Sequence, residues 1–318
     1  MSQKRILMIC GSLNQTTMMH QISRHLQQHA CYFTPYYSDG FVETLRKAGL
    51  LEFTILGGRA RQQTEQYLFQ HRLTVDYAGT GRSYDLVFTC SDLIVPENIR
   101  QKNIVLVQEG MTDPENMVYR LTRALGLPRY LANTAMTGLS HAYGKFCVAS
   151  EGHKELFRQK GIPQEKMVVT GIPNFDHAEQ YRNNDFPYRN YVLVATSHLR
   201  ETWKYENRKK FLHQASALAD GRPMIFKLHP NENATRARRE IQQWVPGHMV
   251  LQEGNTNHMI ANCQALVTRY SSVLLTALAL GKPVYSDLED DFIRNLTPLQ
   301  NGGTSARHIA RIGESFLE

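Results

Sequence analysis

Four short polar clusters, each following an apolar run, hold the side chains of this sequence best suited to chemistry. The first is Ser271-Ser272, which follows the run Ala265 to Thr268 and precedes an uncharged segment, Val273 to Leu280, closed by Gly281-Lys282-Pro283. Hydroxyls ahead of a helix cap its free N–H groups, a glycine stops it in the left-handed conformation, and the open amides at the positive end of the dipole attract an anion. A phosphate or diphosphate is the expected guest, although serines that merely cap a core helix give the same spelling. The second cluster is His229-Pro230-Asn231, after the run Met224 to Leu228. Pro230 restricts His229 to extended geometry, so the imidazole is expected at the strand end, where it donates to a phosphate oxygen and offsets charge growing on a leaving nucleotide. The third is Gln108-Glu109-Gly110, after Ile104 to Val107. A carboxylate at a strand tip beside a glycine is placed to take a proton from a hydroxyl nucleophile, with a surface glutamate in a turn as the plainer alternative. The fourth, Thr196-Ser197-His198-Leu199-Arg200, adds donors of the sort that hold a phosphate, and Thr196, Ser197 and Arg200 are its expected contacts.

Positioning these clusters requires strands that end where the clusters begin. The apolar runs Ile6 to Cys10, Phe53 to Leu56, Leu86 to Thr89, Ile104 to Val107 and Phe146 to Ala149 alternate with helical patterns at residues 62–75 and 152–160. Strands apolar throughout and separated by helix-length segments predict a parallel sheet covered on both faces. A polar stretch, residues 177–190, then reads as a linker. The alternation restarts with Tyr191 to Ala195, a helix over 201–218, Met224 to Leu228, a helix over 234–244, Met249 to Leu251, a helix over 256–263, and the serine segment before Val284-Tyr285. The expected architecture is α/β, with two doubly wound Rossmann-like domains facing across a cleft: residues 1–176, a linker over 177–190, and residues 191–318.

Length and composition narrow the field. The 318 residues, 42% hydrophobic and 20% charged, suit two soluble domains, and the longest uncharged apolar run is far too short for a membrane helix. The N-terminus enters a strand-like run with no signal segment, and five scattered cysteines fit a reducing compartment, so the cytoplasm is the expected location. A net charge of +7 favours anionic partners and adds peripheral contact with an anionic membrane face. Nucleic acid is not expected, because the basic run Arg236-Ala237-Arg238-Arg239 lacks interleaved aromatics and reads as a solvated helix face. No Gly-x-Gly-x-x-Gly or Walker loop and no Gly-x-Ser-x-Gly elbow is present, which disfavours a dinucleotide oxidoreductase, a nucleoside triphosphatase and a serine hydrolase.

His229-Pro230 followed by Tyr270-Ser271-Ser272-Val273 and Gly281-Lys282-Pro283 resembles the nucleotide-binding half of GT-B glycosyltransferases. The likeness is to the CDP-glycerol glycerophosphotransferase and bacterial capsule-polysaccharide transferase group, and it covers about residues 145–290, including Val148-Ala149-Ser150 and Gly171-Ile172-Pro173-Asn174. That group has His-Gly where this chain has Glu109-Gly110. An acidic residue before glycine, then His-Pro, then paired serines is similar to bacterial sialyltransferases and Kdo transferases. That likeness implies Glu109 as base, His229-Pro230 and Asn231 at the nucleotide phosphate, and Tyr270, Ser271 and Ser272 as phosphate binders. The resemblance implies a glycosyltransferase or polyol-phosphate transferase with a CMP-, CDP- or UDP-activated donor, a surface-polysaccharide or lipid-linked acceptor, no tightly bound cofactor and no required divalent metal. Non-hydrolysing UDP-N-acetylglucosamine 2-epimerases share the fold but have Ser-Gly-Gly where this chain has Ser271-Ser272-Val273, which makes an epimerase the second expectation. An inactive sugar-nucleotide-binding protein is the third.

Overall fold

A computed structural model describes residues 3–52, 54–202, 205–269 and 271–318. The chain divides into two compact units, one running to Asp176 and resuming at Leu299–Glu318, the other spanning His177–Pro298.

The first unit contains β1 (Arg5–Ile9), β2 (Ala30–Thr34), β3 (Leu86–Thr89), β4 (Asn103–Val107), β5 (Lys145–Val148) and β6 (Met167–Val169). They form a parallel sheet in the order β2-β1-β3-β4-β5-β6. Its helices are α1 (Leu13–Ser23), α2 (Gly40–Lys47), α3 (Gly58–Gln70), α4 (Met117–Ala124) and α5 (Glu151–Gln159). Alternate residues of each strand feed opposite faces: Ile6 and Met8 pack with Met18, Met19 and Ile22 of α1, while Leu7 and Ile9 join the cluster containing Phe146 and Phe157 on the other side. Both faces are therefore apolar, which is why these strands read as continuous hydrophobic runs. The strand expected over Phe53 to Leu56 is not one. Phe53 lies outside the described residues, and Thr54 closes a turn, its Oγ1 donating to Leu51 O at 2.8 Å and accepting from Leu56 N at 3.2 Å. The second strand is instead Ala30–Thr34.

In the second unit the elements are α6 (Arg208–Ala219), α7 (Ala234–Trp244), α8 (Thr256–Asn262), α9 (Val273–Ala279) and α10 (Asp290–Asn295) around β7 (Val192–Ala195), β8 (Met224–Lys227), β9 (Met249–Leu251), β10 (Ala265–Thr268) and β11 (Val284–Tyr285). The sheet is parallel with order β11-β10-β7-β8-β9.

Two boundaries differ from expectation. Residues 177–190 were expected as a linker, but they belong to the second unit, where Asn262 clamps them. Its Nδ2 donates to Asn184 Oδ1 at 3.0 Å and Phe186 O at 3.1 Å, and its Oδ1 accepts from Arg189 Nη1 at 2.8 Å. The final segment, expected in the second domain, returns to the first. There α11 (Ser305–Glu314) sets Ala306, Ile309 and Ala310 into the core beside α1. The return is stitched at Asp176, whose carboxylate accepts from Ser305 N at 2.7 Å and whose carbonyl accepts from Asn301 N and Gly302 N, each at 3.1 Å. Gly313 lets α11 lie flat on the sheet, since a Cβ there would stand 2.3 Å from the Phe88 ring. No helix among the described residues is long and apolar enough to cross a membrane.

Candidate functional site

The second unit concentrates the clusters on one sheet edge. In register, Thr268 of β10 pairs with Ala195 of β7, and Ala195 with Lys227 of β8, so three neighbouring strands end level. The loops leaving them begin at Arg269, Thr196 and Leu228 and carry Ser271-Ser272, Ser197-His198 and His229-Pro230. The chain winds from β7 out to β9, then returns to β10 on the other side of β7, which makes this edge the switch point where open α/β sheets bind ligands.

His229 is fixed from three sides. Its backbone N–H donates to Thr196 Oγ1 at 3.3 Å, its Nδ1 accepts from the backbone N–H of Asn231 at 3.1 Å, and its ring stacks on His198 with centroids 3.9 Å apart and planes 19° apart. Burial, then the His198 ring and Lys227, push the imidazole down to about 4, with Glu201 pulling weakly the other way. At neutral pH the ring is therefore uncharged, and because Nδ1 is an acceptor the proton sits on Nε2, leaving a donor suited to a phosphate oxygen. Lys227 does not join this group. It is buried, and its Nζ donates to Leu228 O at 3.1 Å and Gln252 O at 2.9 Å.

Beneath these loops lies a buried ionic network. Arg208, 3% exposed, pairs with Glu206 and Glu232, whose side chains are fully buried, and donates to Ser197 O at 3.1 Å. Glu232 also accepts from Thr196 Oγ1, and Glu206 from Ser197 Oγ at 2.9 Å. Burial raises the Glu232 carboxyl despite the opposing pull of Arg208 and Thr196. Thr196 and Ser197, expected as ligand donors, thus give their hydroxyl protons to carboxylates of the loop's own support. Arg200 grips Glu240 bidentately, 2.8 Å on each arm, with Glu206 3.3 Å from its Nε. Pro230 and Asn231 are exposed beside His229.

At the serine pair, Ser272 occupies the position before α9 with helical φ/ψ of −62° and −16°, and its hydroxyl makes no capping bond to the helix. Both serines are half-buried, and Leu274 N donates to Ser271 O at 3.2 Å. Tyr270 lies outside the described residues. The Gly281-Lys282-Pro283 stop works as its spelling indicates: Gly281 has φ +67°, and Lys282 Nζ donates to Cys263 O at 2.7 Å.

Within the first unit, Glu109 stands just past β4. Its Oε1 accepts from Ser12 Oγ at 2.6 Å and its Oε2 from Gln15 Nε2. Ser12 caps α1, accepting from Gln15 N at 3.2 Å, so the carboxylate is held at the N-terminus of α1 by two neutral donors. Gln108 is 1% exposed and sets the loop by donating to Gly110 O and accepting from Ala149 N, both at 2.9 Å. The same loop carries Asp113, whose carboxylate accepts from Thr134 Oγ1 at 2.9 Å, and the exposed Glu115. Sequence reasoning missed Ser12 and Gln15, although Ser12-Leu13-Asn14-Gln15 directly after β1 spells a capping box. It also missed the His198 stack and the Arg208 network, whose residue types carry no mark of burial.

No family model and no curated protein sequence matches the chain. Solved structures do. The UDP-GlcNAc 2-epimerase from Neisseria meningitidis, bound to UDP-GlcNAc, is similar with 14% identity and TM-score 0.58, covering 97% of this chain and 99% of that one. A putative UDP-N-acetylglucosamine 2-epimerase from Listeria monocytogenes has 13% identity and TM-score 0.60 over 100% and 97% of the two chains. A variant of the wall teichoic acid polymerase TagF has 10% identity and TM-score 0.51 over 98% and 88%. Likeness at these identities shows the fold, a GT-B type with two Rossmann-like units. The expectation of a glycosyltransferase is corrected by the same comparison: the epimerases are matched over nearly their full length and superpose better than the polymerase, in agreement with the second expectation and not the first.

Proposed function

We propose that this protein is a nucleotide-sugar epimerase that inverts C2 of a UDP-N-acetylhexosamine and needs no acceptor. The observation carrying the reading is the level edge of β10, β7 and β8, where an uncharged Nε2 donor on His229 stands on the same rim as Ser271 and Ser272. Such an edge suits a diphosphate, and the epimerases that share the fold throughout take a uridine diphosphate sugar. Inverting a carbon requires a proton to leave it and another to arrive on the opposite face. Glu109, oriented through both carboxylate oxygens by neutral donors, is the group assigned to carry one of them. His229, Ser271 and Ser272 hold the phosphates, and the reaction proceeds with no tightly bound cofactor and no divalent metal.

The test is incubation with UDP-GlcNAc alone in deuterated water, followed by proton NMR. The C2 epimer and deuterium at C2 are expected with no acceptor present. If UDP binds but neither epimer nor C2 deuterium forms, the epimerase reading fails and a sugar-nucleotide-binding protein takes its place.

A further inference from the structure

A diphosphate is multiply charged at neutral pH, and the groups placed on the edge so far, the uncharged His229 ring and the hydroxyls of Ser271 and Ser272, bring no positive charge to meet it. Three cations near the edge are committed to the protein itself. Arg200 gives both arms to Glu240, Arg208 is buried against Glu206 and Glu232, and Lys227 is buried on two carbonyl oxygens. Arg269 is held differently.

Arg269 leaves β10 directly after Thr268 and stands two residues before Ser271. The register that pairs Thr268 with Ala195 and Val267 with Tyr285, carried past the strand ends, sets Arg269 level with Thr196 on one side and with Asp287 on the other. Its Nε donates to Asp287 Oδ2 at 2.6 Å, while its Nη1 stands 4.0 Å from Glu206 Oε1, beyond hydrogen-bond reach. Glu206 is fully buried and already engaged by Arg208 and by Ser197 Oγ. Among the described residues neither Nη of Arg269 therefore donates a hydrogen bond, and 24% of the side chain is open to solvent.

The guanidinium is thus fastened by one arm and open at its fork. The partner on the fastened arm, Asp287, is 49% exposed, and an ion pair with an exposed carboxylate stabilises a fold only weakly. A cross-link between the loops after β10 and β11 uses the Nε arm alone and gives the fork nothing to bind. Two parallel N–H groups of a guanidinium match two oxygens of a phosphate, a fit that the point charge of a lysine lacks. With Nε held by Asp287, the fork is oriented before a ligand arrives, and less ordering is left for binding to bring about.

We propose that Arg269 is a further diphosphate-binding residue, its open Nη fork taking phosphate oxygens while Asp287 holds its Nε; this rests on the reading of the edge given above. The test is isothermal titration of UDP and of inorganic pyrophosphate into the full chain and three variants, with thermal melting of each. Arg269→Gln should weaken both ligands about tenfold or more, because a charged hydrogen-bonded contact is lost. Arg269→Lys, which keeps the charge without the fork, should recover only part of that loss. Asp287→Asn keeps an acceptor for Nε and removes a negative charge, so UDP affinity should rise, by up to about threefold. A cross-link with no part in binding predicts instead that the arginine and aspartate variants shift affinity and stability in the same direction. Arg269→Gln binding UDP as the parent does, or Asp287→Asn weakening UDP as much as Arg269→Gln, overturns the role of Arg269 and leaves the diphosphate edge standing. If Arg269→Gln does not fold, the lysine and asparagine variants decide by the same signs. A parent chain that binds neither UDP nor pyrophosphate removes the edge reading and the arginine with it.

Discussion

Removing one buried hydroxyl should loosen the edge proposed to hold the diphosphate while leaving its shape. Thr196 is 5% exposed, and its Oγ1 links two structures: it receives the N–H of His229 at 3.3 Å and gives its own proton to Glu232, a carboxylate with no solvent access. Thr196→Val keeps the volume and deletes the link. A hydrogen bond to a buried charged group is worth about 1.5–3 kcal/mol, and the orphaned His229 N–H adds about 1 kcal/mol, so a loss of about 2–4 kcal/mol is expected. Over a unit of this size that lowers Tm by about 10 °C. Thr196→Ser retains donor and acceptor and should recover most of the loss. Calorimetry of the three proteins, with isothermal titration of UDP into each, separates scaffold from site: the valine variant should lose both stability and UDP affinity, the serine variant little of either. A valine variant within about 0.5 kcal/mol of the parent, or a serine variant as weak as the valine one, refutes the relay.

Acid should weaken the fold through its depressed histidines. His153 is 1% exposed and its imidazole is pushed down to about 4 by burial, below an unfolded value near 6.5. The unfolded chain binds the proton first, so this contribution is complete above about 6.5 and is lost as pH falls towards 4, about 2 kcal/mol of it between pH 7 and pH 5. Urea titrations at those two pH values should show a smaller difference for His153→Gln, and an unchanged difference sinks the assignment. Glu109→Gln should cut epimerisation by about a hundredfold or more with UDP affinity intact, as read by NMR turnover and titration. Turnover of UDP-GlcNAc should survive excess EDTA, and loss that magnesium restores would contradict the metal-free reading. Gly313→Ala should cost about 1–3 kcal/mol by driving a methyl into Phe88, and unchanged stability would argue that α11 does not pack there.

The second unit was legible wherever local spelling coincides with tertiary position. Its central strands are short and apolar up to their last residue because both faces are covered, and α9 is followed by Gly281, whose left-handed backbone stops it. Illegible elements were those whose role depends on distant partners. Ala30–Thr34 is an edge strand whose first three residues, Ala30, Cys31 and Tyr32, are only half-buried, and its run lacks the branched aliphatic residues that mark β1 and β3. The return of α11 to the first unit is written in Ala306, Ile309 and Ala310, a periodic stripe that any core would accept. What selects the first unit is Asp176 and the bare Cα of Gly313, neither of which announces its partner.

The candidate site shows the same division at the scale of single atoms. Residue type and strand-end position pointed to Glu109, His229 and the serine pair, because chemistry favours those side chains at such places. The groups that hold them carry no such mark, since arginine and glutamate are seldom fully buried and nothing in their spelling sets these three apart. Yet Arg208, Glu206 and Glu232 are buried, and through Thr196 and Ser197 they fix the loop that receives His229. A buried ion network of this kind is costly to break one partner at a time, because each deletion strands the remaining charges. Placed under the edge proposed to hold the diphosphate, that cost acts on geometry: the loops after β7 and β8 cannot separate without leaving Glu232 or Arg208 unpaired in the interior. The edge is therefore held in shape before any anion arrives, and less of the binding energy is consumed in ordering it.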